Sequence, residues 1–259
     1  MLFTEAAKTG IAFILAAALL GGGFANPARA QGLEGLLNGA FQYFALDNLS
    51  DTQEAAYGRR IHEQLVRQGK VRLSRDRRLT ARVANIGRRL ARTSGRPNLP
   101  YRFFVVNDRS VNAFTTMGGY VYVNAGLAKG VRSDAELAGV MAHEIGHLVA
   151  RHAINQMRQA AVTQGIAGAL GQNDNLLVGL GVSLYQRGYS RDDEYEADAL
   201  GVRNLARAGY PANGLPDFLR RLQGGGGSAE FLSTHPASAN RVQRLEEIIR
   251  TEGLPTRRR

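Results

Sequence analysis

Apolar spacing divides the chain into helical stretches around one short alternating stretch. Leu33, Leu36, Leu37, Phe41, Phe44 and Leu46 recur at near-helical intervals, so residues 31–50 read as an amphipathic segment that packs on the body or rests on a membrane. From Asp51 to about Gly95 the pattern stays helical and basic, and two helices fit, broken between Gly69 and Asp76. After Pro97 and Pro100 the period shortens. Phe103-Phe104-Val105-Val106 reads as a buried strand, Asn107-Asp108 as a turn, and residues 111–123, split by Gly118-Gly119, as a hairpin-like unit. Ser133-Asp134-Ala135-Glu136 is a capping box, and the helix it opens is expected to run through His152 and beyond. Residues 162–185 are rich in Gly, Ala, Leu and Val, but Gln172-Asn173-Asp174-Asn175 interrupts them, so a lid or a helical hairpin fits better than a membrane span. A further helix covers Asp193 to about Ala208, stopped by Gly209 and Pro211. Gly224 to Gly227 reads as a flexible linker, Pro236 opens a last helix to about Arg250, and residues 251–259 form a basic tail. The expected fold class is α+β, mostly helical with a small β-sheet.

The N-terminal thirty residues stand apart. Glu5 and Lys8 precede an apolar run from Gly10 to Phe24, too short for a bilayer span of about 20 residues. Ala28-Arg29-Ala30 follows at the distance of a cleavage site, so residues 1–30 read as a secretory signal peptide and the body as periplasmic. That leaves residues 51–250 as one domain. The chain is 44% hydrophobic over 259 residues, enough for a real core. It has no Cys, which excludes disulfides, a thiolate metal site and a Cys nucleophile, and leaves any metal to His, Asp and Glu. The net charge of +11 is carried by arginines spread along helices without an aromatic–basic motif. Peripheral contact with an anionic membrane uses that charge better than nucleic acid does.

The candidate chemistry begins at His143-Glu144-Ile145-Gly146-His147. Four residues on a helix rotate by about 40°, so both imidazoles leave one face, one turn apart, and can share a zinc ion. Glu144 lies about 100° round, placed to serve a water at the metal rather than to bind it. A zinc site of this kind needs a third protein ligand and an open position. The metzincin spacing would put a histidine at Ala153. His152, nine residues past His143 on a continuous helix, faces away and reads as a second-layer or surface residue. Carboxylates cluster in Asp192-Asp193-Glu194-Tyr195-Glu196-Ala197-Asp198, where Glu194 and Asp198 share a helix face; Asp193 and Glu196 stay open as rivals.

These pieces resemble the zinc metallopeptidases related to the HtpX heat-shock protease and the CaaX prenyl protease, peptidase family M48. The resemblance spans roughly residues 52–250. Asn112-Ala113-Phe114 and Gly118 to Leu127 resemble the family's strand and turn, and His143 to His147 its zinc helix. Ser190-Arg191 with Glu194, Ala197 and Asp198 matches its E-x-x-A-D element, and Thr234-His235-Pro236 with Arg241 its T-H-P-x-x-x-x-R. Thr115-Thr116-Met117 stands where the family often has Ala-x-Pro, which alters strand stiffness more than chemistry. The resemblance implies a zincin-like domain with its sheet beside the active-site helix. It implies one Zn²⁺ per chain on His143, His147 and Glu194, with Asp198 behind a ligand histidine. It is closest to the small exported branch, linked to quality control of outer-membrane proteins. The implied function is a zinc-dependent endopeptidase acting on unfolded or misassembled envelope proteins, with Glu144 as general base. His235 either assists at the oxyanion or swings onto the zinc and blocks it. Arg241 holds a carboxylate or the last helix. Gly118, Gly119, Tyr120 and Val121 are expected to bind substrate as an added β-strand. The rival reading is a zinc-dependent chaperone or binding module held shut by His235.

Overall fold

The computed structural model describes residues 46, 48–164, 174–223, 229–236 and 240–256. The expected signal peptide, most of the amphipathic segment, the Gly224 to Gly227 linker and the end of the basic tail lie outside the described residues. Two helices come first, α1 (Asp51–Arg67) and α2 (Arg77–Thr93). Three short strands follow, β1 (Arg102–Val106), β2 (Ala113–Thr115) and β3 (Tyr120–Asn124). The rest is helical: α3 (Ala125–Gly130), α4 (Asp134–Val149), α5 (His152–Thr163), α6 (Asp174–Leu184), α7 (Arg191–Arg207), α8 (Gly214–Gln223), α9 (Ala229–Thr234) and α10 (Asn240–Thr251). Among the described residues no helix is long and apolar enough to cross a membrane.

Local chemistry sets the helix starts. Ser50 and Ser190 close full capping boxes with Gln53 and Asp193, and Asp76 caps α2 through the Leu79 N–H. Ser133 accepts from the Glu136 N–H, but the box expected there is half-formed: the Glu136 carboxylate takes the Arg132 N–H and the Arg221 guanidinium instead. The sheet has the order β1-β3-β2, with β3 parallel to β1 and antiparallel to β2. Gly118 (φ +75°) and Gly119 (φ +89°) turn the β2–β3 hairpin, a backbone that side-chain-bearing residues rarely adopt. β3 alternates across the sheet. Val121 and Val123 face a core built with α2, α4, α7, α8 and α10, while Tyr120 and Tyr122 face a second core with α1, α5 and α6. Of residues 162–185, the described ones supply the end of α5 and the whole of α6, packed in the second core, and residues 165–173 lie outside the described residues. Asp174, at the start of α6, takes the Tyr57 hydroxyl and the Arg60 guanidinium of α1.

α4 is the inner helix, buried almost throughout. It runs antiparallel to α7 at very close approach. A Cβ on Gly146 would lie 2.5 Å from the Ala197 carbonyl oxygen, and one on Gly201 2.9 Å from the His143 nitrogen. These two glycines fix how far α7 stands from the His143–His147 face. Gly146→Ala is therefore expected to force the helices apart at a cost of about 1–3 kcal/mol. Thermal unfolding checks this, and an unchanged midpoint would show that the interface has slack.

α4 ends at Val149, contrary to the continuous helix expected through His152. Arg151 adopts the left-handed conformation (φ 60°, ψ 29°) and α5 starts afresh at His152. Glu54 of α1 anchors this break. One of its carboxylate oxygens accepts from Arg96 Nη2 (2.6 Å) and Arg151 Nη2 (3.1 Å), the other from the Gly118 N–H (3.0 Å). Arg96 also donates to the Leu148 carbonyl at the end of α4, and Arg151 to the Leu49 carbonyl.

Candidate metal centre

His143 and His147 leave α4 on one face, with their Nε2 atoms 3.1 Å apart. The first turn of α7 brings Glu194 against them. Its Oε1 lies 3.3 Å from His147 Nε2 and its Oε2 3.4 Å from His143 Nε2. His235, following α9, completes the group: its Nδ1 is 3.2 Å from His143 Nε2 and 3.1 Å from Glu194 Oε1. One ligand atom from each of the four lies within 4.8 Å of all the others, and every one of these side chains is buried. Three imidazole nitrogens and a carboxylate are a zinc donor set. Two observations point to a cation. Both oxygens of Glu144 are buried without a hydrogen-bond partner, an arrangement that costs free energy unless something else satisfies them. The electrostatics agree: although burial opposes charging, Glu194 and Asp198 raise the His143 pKa to about 9, so this point in the fold favours positive charge.

The surroundings divide the roles. His143 Nδ1 lies 2.9 Å from Asp198 Oδ1, and Arg241 brackets Asp198 with Nε and Nη2 at 2.7 Å each. Arg241 Nη1 is also 2.5 Å from Glu194 Oε2, an ion-pair contact rather than an aligned hydrogen bond. Burial opposes the ionised form of Asp198, but Arg241 and His143 outweigh it and hold its pKa below the usual carboxylate range. Burial pushes the His147 pKa well down, keeping the imidazole neutral as metal binding requires. Burial pushes the Glu144 carboxyl up from the usual carboxylate range. Glu144 Oε1 faces His235 Nε2 at 3.3 Å.

The rivals for the third ligand fall elsewhere. Asp193 caps α7, and Glu196 is largely exposed; both carboxylates turn toward His152. The expected substrate strand is corrected. β3 is the middle strand, with Tyr120 and Val121 paired to β1, Val121 also to β2, and Tyr120 held by its carbonyl to the Thr116 N–H. Gly118 and Gly119 pack on α1 and on the Pro100–Tyr101 backbone, so no peptide can add there. The strand edge that meets the metal group belongs to β2, where the Ala113 carbonyl faces His235 Nε2 at 3.3 Å. One neighbour of the site went unread in the sequence, and one was read as a second-layer or surface residue facing away. Tyr189 stacks on His147 with ring centroids 3.9 Å apart, and His152 turns inward to His147. The aromatic residue just before Ser190 was a weak signal for the first; nothing in the sequence marked the turn that produces the second.

A buried helix carrying H-E-x-x-H, a carboxylate from an antiparallel helix and a flanking mixed sheet together define a metalloprotease. The model of peptidase family M48 matches residues 77–249, and the chain belongs to that family. Zinc is the metal the family uses. The chain is 30% identical over 217 residues to the beta-barrel assembly-enhancing protease of Escherichia coli K12, a match covering 75% of this chain and 43% of that protein. It is 30% identical over 181 residues to the mitochondrial metalloendopeptidase OMA1 of Schizosaccharomyces pombe, covering 66% of this chain and 53% of that one. With the metalloprotease YcaL of Escherichia coli K12 it shares 28% identity over 180 residues, covering 65% and 69%. The chain thus spans about half the length or less of the first two.

Proposed function

We propose that the chain is a zinc-dependent endopeptidase of the bacterial envelope, cleaving unfolded or misassembled proteins, with residues 51–250 as its catalytic domain. The observation that carries this is the buried His143–His147–Glu194 donor set with the unpartnered Glu144 carboxylate beside it. Zinc, when bound, supplies a Lewis acid that acidifies a water and polarises the scissile carbonyl. The chain's residues do the rest. His143 and His147 offer Nε2, and Asp198 accepts from His143 Nδ1–H and so fixes that tautomer. Glu144 takes the proton of the attacking water on a carboxylate oxygen and hands it to the departing amine nitrogen. Relatives named for assisting β-barrel assembly support the envelope assignment, as does the basic surface, which suits peripheral contact with anionic lipid. A periplasmic location after removal of residues 1–30 fits the same reading. Purified chain with one equivalent of zinc is expected to degrade casein, and zinc binding without any cleavage would favour a chaperone or binding module.

His235 closes the site as it stands. It offers a nitrogen where the open position of a catalytic zinc belongs, and it covers the β2 edge at Ala113. The Thr234 hydroxyl latches this segment onto Asn112 (3.3 Å). We take the arrangement as a gate: once the segment moves, β2 can receive a substrate strand beside the metal. His235→Ala is expected to raise casein cleavage severalfold, whereas a tenfold fall would make His235 a transition-state donor.

A further inference from the structure

The two histidines of α4 are supported differently on their outer sides. His143 leans on a carboxylate, Asp198. His147 leans on another imidazole: its Nδ1 lies 2.8 Å from His152 Nδ1, and both rings are buried. His152 Nε2 in turn faces Glu196 Oε2 at 3.3 Å and Asp193 Oδ1 at 3.4 Å. Proton bookkeeping allows one consistent direction. His147 must present a lone pair at Nε2, so its proton is on Nδ1 and is donated to His152 Nδ1. His152 then carries its own proton on Nε2 and donates it to the carboxylates. The two acids at the start of α7 select the tautomer of His152.

A continuous helix would carry residue 152 round to the far side of α4. The break after Val149 brings it back. It is made by Arg151, the one residue other than glycine with positive φ among the described residues. Such a conformation is unfavourable for a residue with a side chain and persists only where the surroundings impose it. Here they do: Glu54 accepts two hydrogen bonds from the Arg151 guanidinium. Tyr189 closes the remaining face of His147 by stacking on it.

We propose that His152 is a positioning residue for His147, and that the left-handed turn at Arg151 exists to place it. The inference rests on the metal-centre reading above and deepens it. The test is zinc affinity, read by chelator competition on the full chain. His152→Asn keeps an acceptor oxygen where Nδ1 was; His152→Gln moves it one bond further out. Asn is expected to hold zinc within about threefold of the parent chain, and Gln to lose about 10–100-fold, the range for an outer partner of a metal ligand. Equal affinities for the two variants would overturn the inference. A second measurement needs no variant: in the zinc-loaded parent chain, NMR is expected to find the His147 Nδ1–H proton coupled to His152 Nδ1 across the hydrogen bond. Absence of that coupling would overturn it too. A parent chain that binds no zinc would sink the metal-centre reading along with this one, whereas tight parent binding with indifferent variants would sink this one alone.

Discussion

Glu144→Gln is expected to keep one zinc per chain and to lose peptide cleavage by about 10²–10⁴-fold, the span for removing a general base. The side chain is isosteric and lies inside a buried site whose donor atoms come from other residues, so the fold and the metal should survive. What is lost is proton acceptance. Both Glu144 oxygens lack a hydrogen-bond partner, and the contact of Oε1 with His235 Nε2 at 3.3 Å is one that an amide oxygen can also make. Zinc content measured beside casein cleavage separates the two effects. Cleavage within tenfold of the parent chain would move the base elsewhere; loss of zinc would make Glu144 a ligand.

Arg241→Leu should have the largest effect on stability, about 3–5 kcal/mol, because it strands buried carboxylate charge. Arg241 is 1% exposed and binds Asp198 through two nitrogens at 2.7 Å each, with a third on Glu194. Without it, His143 is the charged partner left to Asp198 among the described residues. Folding then favours a protonated Asp198, which no longer accepts well from His143 Nδ1–H. Thermal unfolding should therefore fall by about 10 °C, taking roughly 2–4 °C per kcal/mol for a chain of this size. Zinc affinity should weaken in parallel. A loss below about 1 kcal/mol would mean that the pocket relaxes and admits water to the freed acids.

The legible parts of the fold are those announced by local chemistry. Ser133 marked the start of α4 because a side-chain acceptor there satisfies a free N–H group, and Gly118-Gly119 marked the hairpin because its backbone needs glycine. The break at Arg151 had no such marker, since tertiary contacts to Glu54 impose it on a residue that prefers helix. The order of strands was equally silent. Nothing in Tyr120–Asn124 says that both its edges are taken, and the substrate strand was misplaced for that reason. The short helices α3, α8 and α9 form under packing rather than propensity. Within the site, His143, Glu144 and His147 followed from spacing alone. Spacing left Asp193 and Glu196 open beside Glu194, and the resemblance to the E-x-x-A-D element singled out Glu194; the rotational phase of α7 that brings it against His143 and His147 is set by the close contacts at Gly146 and Gly201.

The Glu54 cluster bears on where the working enzyme begins. The family match opens at residue 77, past the whole of α1. Yet α1 carries the carboxylate that neutralises Arg96 and Arg151 at the end of the zinc helix, and it carries His62, stacked on Phe104 and bonded to the Tyr122 hydroxyl. A fragment cut at residue 77 would keep every atom of the donor set. It would lose the brace that ends α4 where His152 can reach back, and with it the covering of one sheet face. The matched segment thus leans on a helix outside it, one whose cap is Ser50.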